Sequence, residues 1–165
     1  MRLILTISIL VINIDHLVAQ TSFAESCIGK WLGTMYIYKF GQLKDSVPVV
    51  LTVTPMDVPQ TWRWKMEYLS PTLPVVKDYQ LRLVDNEKNI YVTDEGGGVE
   101  LKDYQHKNKL FSIFETEGYM LTATYELMGQ QMNYEVTSGK REHVSSGGII
   151  NYTVDVLQSV MLTKQ

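Results

Sequence analysis

Trp62-Arg63-Trp64-Lys65-Met66-Glu67-Tyr68 alternates a bulky apolar side chain with a charged one at every step. Successive side chains of a β-strand point to opposite faces, so this stretch reads as a strand with one dry face and one wet face. The same period of two recurs in Tyr79–Leu83 and Val99–Lys102, and again in Met120–Leu127, where Leu121, Ala123, Tyr125 and Leu127 fall together. Met132–Ser138 gathers Met132, Tyr134 and Val136, and Ile150–Val156 gathers Ile150, Tyr152, Val154 and Val156. Turn formers separate the runs at Asp85–Asn89, Asp94–Gly98, Gln105–Lys109, Glu117-Gly118 and Met128–Gln131. They recur about every ten residues, the spacing of an all-β sandwich or barrel. No helical period is sustained anywhere downstream; only Thr21–Lys30 has room for a short helical turn before the first strand.

Short connections in chain order make an antiparallel meander of about ten strands, and an open sheet of that size leaves unpaired backbone at two edges. Closing the sheet removes both edges. The expected fold is therefore all-β, an antiparallel up-and-down β-barrel of about ten strands with a short helical turn before the first strand. A two-sheet sandwich has the same alternation and remains the alternative architecture.

The first residues follow a different rule. Met1-Arg2 and the apolar run Leu3–Ile14 are followed by Asp15, His16 and the small residues around Ala19. This is the pattern of a secretory signal cut after Ala19, too short and too interrupted for a membrane span. We expect residues 1–19 to be a signal peptide, 20–165 to be one barrel domain, and the protein to be secreted or periplasmic without stable membrane insertion. A lone cysteine, Cys27, excludes an internal disulfide framework and reads as a buried free thiol. The formal charge of −3 supplies no basic field, so no nucleic-acid partner is expected.

Cys27-Ile28-Gly29-Lys30-Trp31 places a Gly-x-Trp motif at the start of the first strand, just after the expected helical turn. With the strand count and chain length, this resembles the lipocalin and wider calycin barrels. The resemblance implies that Gly29 and Trp31 close the barrel base, that a basic residue late in the last strand packs over Trp31, and that the interior holds a small apolar or amphipathic molecule. Lys164 is the basic residue in that place. Thr93-Asp94-Glu95 carries part of a second lipocalin signature, Thr-Asp-Tyr, without its tyrosine.

The alternation itself supplies the lining. Trp62, Trp64, Met66, Tyr68, Tyr125, Met132, Tyr134 and Tyr152 all fall on the expected inner face, joining flat rings, adaptable thioethers and several hydroxyls. They suit a lipid-like or ring-shaped ligand; alternatively, they fill the barrel, and the protein is a noncatalytic interaction or structural module. Catalytic and metal patterns are missing: no His-Glu-x-x-His spacing, no Gly-x-Ser-x-Gly elbow, and no Lys-Ser or Lys-Thr after Gly96-Gly97-Gly98. No cofactor is demanded. A haem needs one imidazole, for which His143 in the late loop is the candidate ligand. The expectation is a noncatalytic exported binder of a small lipophilic molecule, with an enzyme acting on a hydrophobic substrate as the less favoured reading.

Overall fold

A computed structural model describes residues 21–142 and 147–165. One short helix, α1 (Phe23–Ser26), precedes ten strands: β1 (Gly29–Lys39), β2 (Gln42–Pro55), β3 (Thr61–Tyr68), β4 (Val75–Asp85), β5 (Ile90–Gly96), β6 (Val99–His106), β7 (Lys109–Thr116), β8 (Tyr119–Met128), β9 (Gln131–Lys140) and β10 (Val156–Lys164). Each strand pairs antiparallel with the next, and β10 returns to β1, so the meander closes into a barrel. The expected signal segment and His143 lie outside the described residues.

The strands form where alternation is cleanest. In β3, Trp62, Trp64 and Met66 are buried, while Arg63 reaches across to an ion pair with Asp78 on β4 and Lys65 pairs with Glu67 at 3.0 Å. Each residue of the strand thus meets the solvent or the core that its chemistry requires. The turns are built from residues that tolerate a left-handed backbone, as at Glu117-Gly118, with φ of 51° and 78°. Gly96-Gly97-Gly98, all at positive φ, carry the tight hairpin from β5 to β6.

The expected strand at Ile150–Val156 is absent. Only its last residue enters β10, and Tyr152 makes a single isolated bridge to Arg141. Residues 151–155 instead lie along the end of β9 through hydrogen bonds such as Thr153 N–H to Lys140 O (2.8 Å) and Asp155 N–H to Ser138 O (2.9 Å). This close approach needs Gly139, where a Cβ would stand 1.8 Å from the Thr153 carbonyl oxygen. Ile150 and Val154 are consequently exposed, despite their spacing.

The barrel has two unlike ends. α1 lies beside the starts of β1, β3, β5, β7 and β9; the connections β1–β2, β3–β4, β5–β6, β7–β8 and β9–β10 lie at the other end. At the α1 end, Ser22 caps the helix through a reciprocal hydrogen-bond pair with Glu25. Phe23 and Ala24 are turned into the barrel base.

Candidate functional site

Trp31 fills the closed end. It is fully buried, donates its indole N–H to Cys27 O at 2.8 Å, and carries the Lys164 ammonium 5.1 Å above its ring. Trp31 and Lys164 are direct partners in the β1–β10 ladder, which sets that contact. Gly29 makes it possible: its φ of 135° disfavours other residues, and a Cβ there would stand 2.8 Å from Lys164 Cε. Cys27 is buried beside them. Burial pushes its thiol up to about 12, with Lys164 opposing, so the sulfur stays protonated and unreactive.

A chain of rings runs upward from this base. Phe23 stacks on Trp64 at 6.5 Å, Trp64 meets Tyr125 edge-on at 5.2 Å, and Tyr125 stacks on Tyr134 at 4.2 Å. Beyond the rings a cavity of about 100 Å³ opens inside the barrel. Trp64, Tyr125 and Tyr134 form its floor side, and Asp103, Ser112 and Thr93 give it a polar wall. At the open end a wider vestibule of about 560 Å³ lies under the β3–β4 connection, lined by Pro71, Thr72 and Leu73 together with Tyr68. Lys77 borders both spaces.

The barrel wall itself parts beside the cavity. β6 and β7 pair from His106 and Lys109 as far as Asp103 and Ser112, and then stop. Val99–Lys102 continue to pair with β5, and Ile113–Thr116 with β8, so the two strands diverge toward the open end. Leu101 and Phe114, one on each side of this cleft, line the cavity. Asp103 and Ser112 therefore sit where the wall splits, side chains inward.

The electrostatics of this region differ from those of an ordinary core. Asp103 is 5% exposed, and burial raises its carboxyl to about 6, opposed by the hydrogen bond from Thr93 Oγ1 at 2.7 Å and by the neighbouring Ser112 hydroxyl. Tyr125 and Tyr134 are both pushed up by burial, as are Tyr79 and Tyr68, so four phenols remain neutral donors at physiological pH. Two buried polar atoms that border the cavity, Trp64 Nε1 and Ser112 Oγ, lack a well-formed hydrogen bond and only loosely engage the side chains beside them, Tyr125 and Asp103. A buried polar atom without a partner costs about 1–3 kcal/mol, and a bound polar group or water would relieve it.

The residues read as pocket lining from sequence separate into four groups. Trp64, Tyr125 and Tyr134 border the cavity, and Tyr68 borders the vestibule. Trp62, Met66 and Met132 are buried in the packed core. Tyr152 is on the return segment, away from both spaces, its hydroxyl donating to Glu115 Oε2 at 3.3 Å. Sequence reasoning did not select Asp103, Ser112, Thr93 or Lys77. Their signal was parity: Asp103 follows Leu101 by two and Lys77 precedes Tyr79 by two, so each shares an inward face. Among the described residues, no group of three or more His, Cys, Asp or Glu side chains is arranged to hold a metal.

No protein-family model matches the sequence, and no curated protein matches it. Among solved structures, the fold is similar to that of the S-type phycobiliprotein lyase CPES from Guillardia theta, with a TM-score of 0.62 at 10% identity over 87% of this chain and 90% of that one. A mutant of the fluorescent protein UnaG aligns with a TM-score of 0.43 at 17% identity, over 82% of this chain and 95% of that one. The ten-strand closed meander, the buried Trp31 under Lys164 and the likeness to CPES fit a lipocalin/calycin-like β-barrel fold.

Proposed function

We propose that the protein binds a small lipophilic or amphipathic molecule inside the open half of its barrel. The observation that carries this reading is the cavity beyond the ring stack, where apolar walls surround buried polar atoms whose hydrogen bonding the protein itself leaves incomplete. A dry, filled barrel has no need of an inward carboxylate or of a cleft in its wall. The vestibule supplies room for the remainder of a ligand larger than the inner cavity, and the β6–β7 cleft is a second way in. A similar barrel serves a phycobiliprotein lyase, which is compatible with a pocket role.

Binding rather than chemistry is the function we assign. The buried phenols are held neutral, and the Cys27 thiol is protonated at the closed end, remote in the chain's layout from the cavity lining. Residues 1–19 fit export to a secreted or periplasmic location, which N-terminal sequencing of the mature protein would establish by a start at Gln20. The test of the binding role is native mass spectrometry of protein purified from its own host, with an absorbance spectrum of the same sample. Extra mass that departs on denaturation is expected. A ligand-free mass, together with failure to take up a hydrophobic naphthalene sulfonate dye, would overturn the reading.

A further inference from the structure

Packing does not explain Asp103. It occupies an inward position on β6, where alternation calls for an apolar side chain, and it is 5% exposed. Thr93 Oγ1 donates one hydrogen bond to it. Among the described residues, no Lys, Arg or His nitrogen lies within salt-bridge distance of it. Its ladder partner on β7, Ser112, is equally buried at 5% exposure, and the Ser112 hydroxyl has no partner but the Asp103 carboxyl beside it, which it engages only loosely. Titratable groups on the neighbouring inward positions are Tyr91 and Glu95 on β5, Lys77 and Tyr79 on β4, Tyr125 on β8 and Tyr134 on β9. Tyr91 is occupied at the base, accepting from Phe23 N–H and donating to Gln105. Glu95 adds a second acceptor, while Lys77 stands where the cavity meets the vestibule.

The inner wall thus sets two carboxyl groups, Asp103 and Glu95, against a single ammonium, Lys77, at its rim, the remaining polar groups being neutral hydroxyls and an indole N–H. A carboxylate ligand would bring a third negative group against Asp103 and Glu95. A plain hydrocarbon would seal Asp103 and Ser112 away from water without new partners, at the full desolvation cost. Resting on the pocket reading above, we propose that Asp103 and Ser112 receive the nitrogen end of the ligand, an N–H donor or protonated amine carried on an aromatic or apolar body. The Trp64, Tyr125 and Tyr134 rings flank that end and suit a cation or a flat ring. A cationic nitrogen needs the ionised carboxylate, and burial places the Asp103 carboxyl at about 6, so amine affinity falls as pH drops through that value.

The test is calorimetric titration of the full-length protein with four probes of similar size: phenethylamine, indole, phenethyl alcohol and phenylacetate. Asp103→Asn, Ser112→Ala and the cavity-filling Ala123→Leu are titrated in parallel. Phenethylamine or indole should bind about tenfold or more tightly than the alcohol and the carboxylate, the scale of a charge-assisted buried hydrogen bond. Asp103→Asn should remove most of the amine preference while leaving the alcohol unchanged, and Ser112→Ala should weaken it by a smaller factor. If Asp103→Asn does not fold, Ser112→Ala together with the loss of amine affinity between about pH 7.5 and pH 5 carries the test. Indole matching the amine would assign a neutral N–H, and amine alone a cation; either supports the proposal. Phenylacetate or the alcohol binding as tightly as the nitrogen probes, and lost in Ala123→Leu, would overturn the nitrogen assignment and leave the pocket standing. No binding by any probe would overturn both.

Discussion

The two ends of the barrel are made from the same alternating strands, yet they treat polar groups in opposite ways. At the closed end, the Trp31 N–H has an acceptor, Lys164 has an aromatic face beneath it, and Ser22 and Glu25 satisfy the helix terminus. Toward the open end, Ser112 Oγ and Trp64 Nε1 lack well-formed hydrogen bonds, Asp103 has no counter-charge among the described residues, and the β6–β7 ladder stops halfway. One half is finished by the chain alone; the other leaves polar groups open to an added partner. Stability should therefore reside in the base, and binding in the open half.

The largest effect expected from this contrast is at Trp31. Trp31→Ala removes a fully buried ring, its hydrogen bond to Cys27 O and the platform for Lys164. A loss of about 3–5 kcal/mol is expected, measured by urea unfolding. The folded fraction should still bind the probes as the parent does. A loss under about 1 kcal/mol would mean that the base is not where the barrel is held together.

Asp103→Asn should do the reverse. The folded protein holds this carboxyl near 6 against 3.8 for the free group, so folding favours the protonated form. The ionised side chain opposes folding in full above about pH 6; that opposition fades as pH falls toward 3.8 and is gone below it. A rise of about two pKa units corresponds to about 3 kcal/mol, so the variant should gain up to about that much at pH 8 and nothing near pH 3.5. Thermal unfolding at the two pH values checks it. A variant less stable than the parent at pH 8 would reveal an unrecognised counter-charge for Asp103 and blur the contrast between the two ends.

Much of the fold was legible because alternation reports strands directly. Trp62–Tyr68 became β3, Met120–Leu127 lies within β8, and each expected turn segment spans a junction between two strands, though some of its residues belong to the strand ends. Ile150–Val156 misled because alternation also needs a ladder partner to become a strand, and Gly139 lets residues 151–155 crowd against β9 in an irregular course. The strand that follows, with Gln158, Val160, Leu162 and Lys164 on one parity, mixes polar and apolar residues on its inner face. Gly-x-Trp located the base because two neighbouring requirements, space at Gly29 and bulk at Trp31, are written in consecutive sequence. The open half was harder to read. Asp103 on an inward face looks like any solvated aspartate, and the β6–β7 cleft exists only in the register of two strands, which no local pattern encodes.

A cavity-filling change separates the two ends more finely. Ala123 is a small residue bordering the inner space, and Ala123→Leu extends its side chain into that space. In a close-packed core added methylenes cost about 1–3 kcal/mol, but a side chain entering existing space gains contacts in place of strain. Stability should change by less than about 1 kcal/mol while probe binding disappears. A large destabilisation with binding retained would mean that the inner space is closed to Leu and that the vestibule alone receives ligand.

The smallest effect belongs to Lys164. Lys164→Met keeps an apolar stem against Gly29 and Trp31 and removes only the ammonium over the ring. Cation–π contacts range from about 0.5 to 1 kcal/mol when exposed and reach about 2 when desolvated; the half-buried ammonium should therefore contribute about 1 kcal/mol. The same change removes the positive charge that opposes the upward push on the Cys27 thiol, so that thiol should become still harder to ionise. Urea unfolding reads the first effect, and the pH dependence of thiol alkylation in the folded protein, compared with that of the parent, reads the second. A stability unchanged from that of the parent would show that the base relies on Trp31 and the apolar lysine stem, and that the charge of Lys164 contributes nothing to closing the barrel.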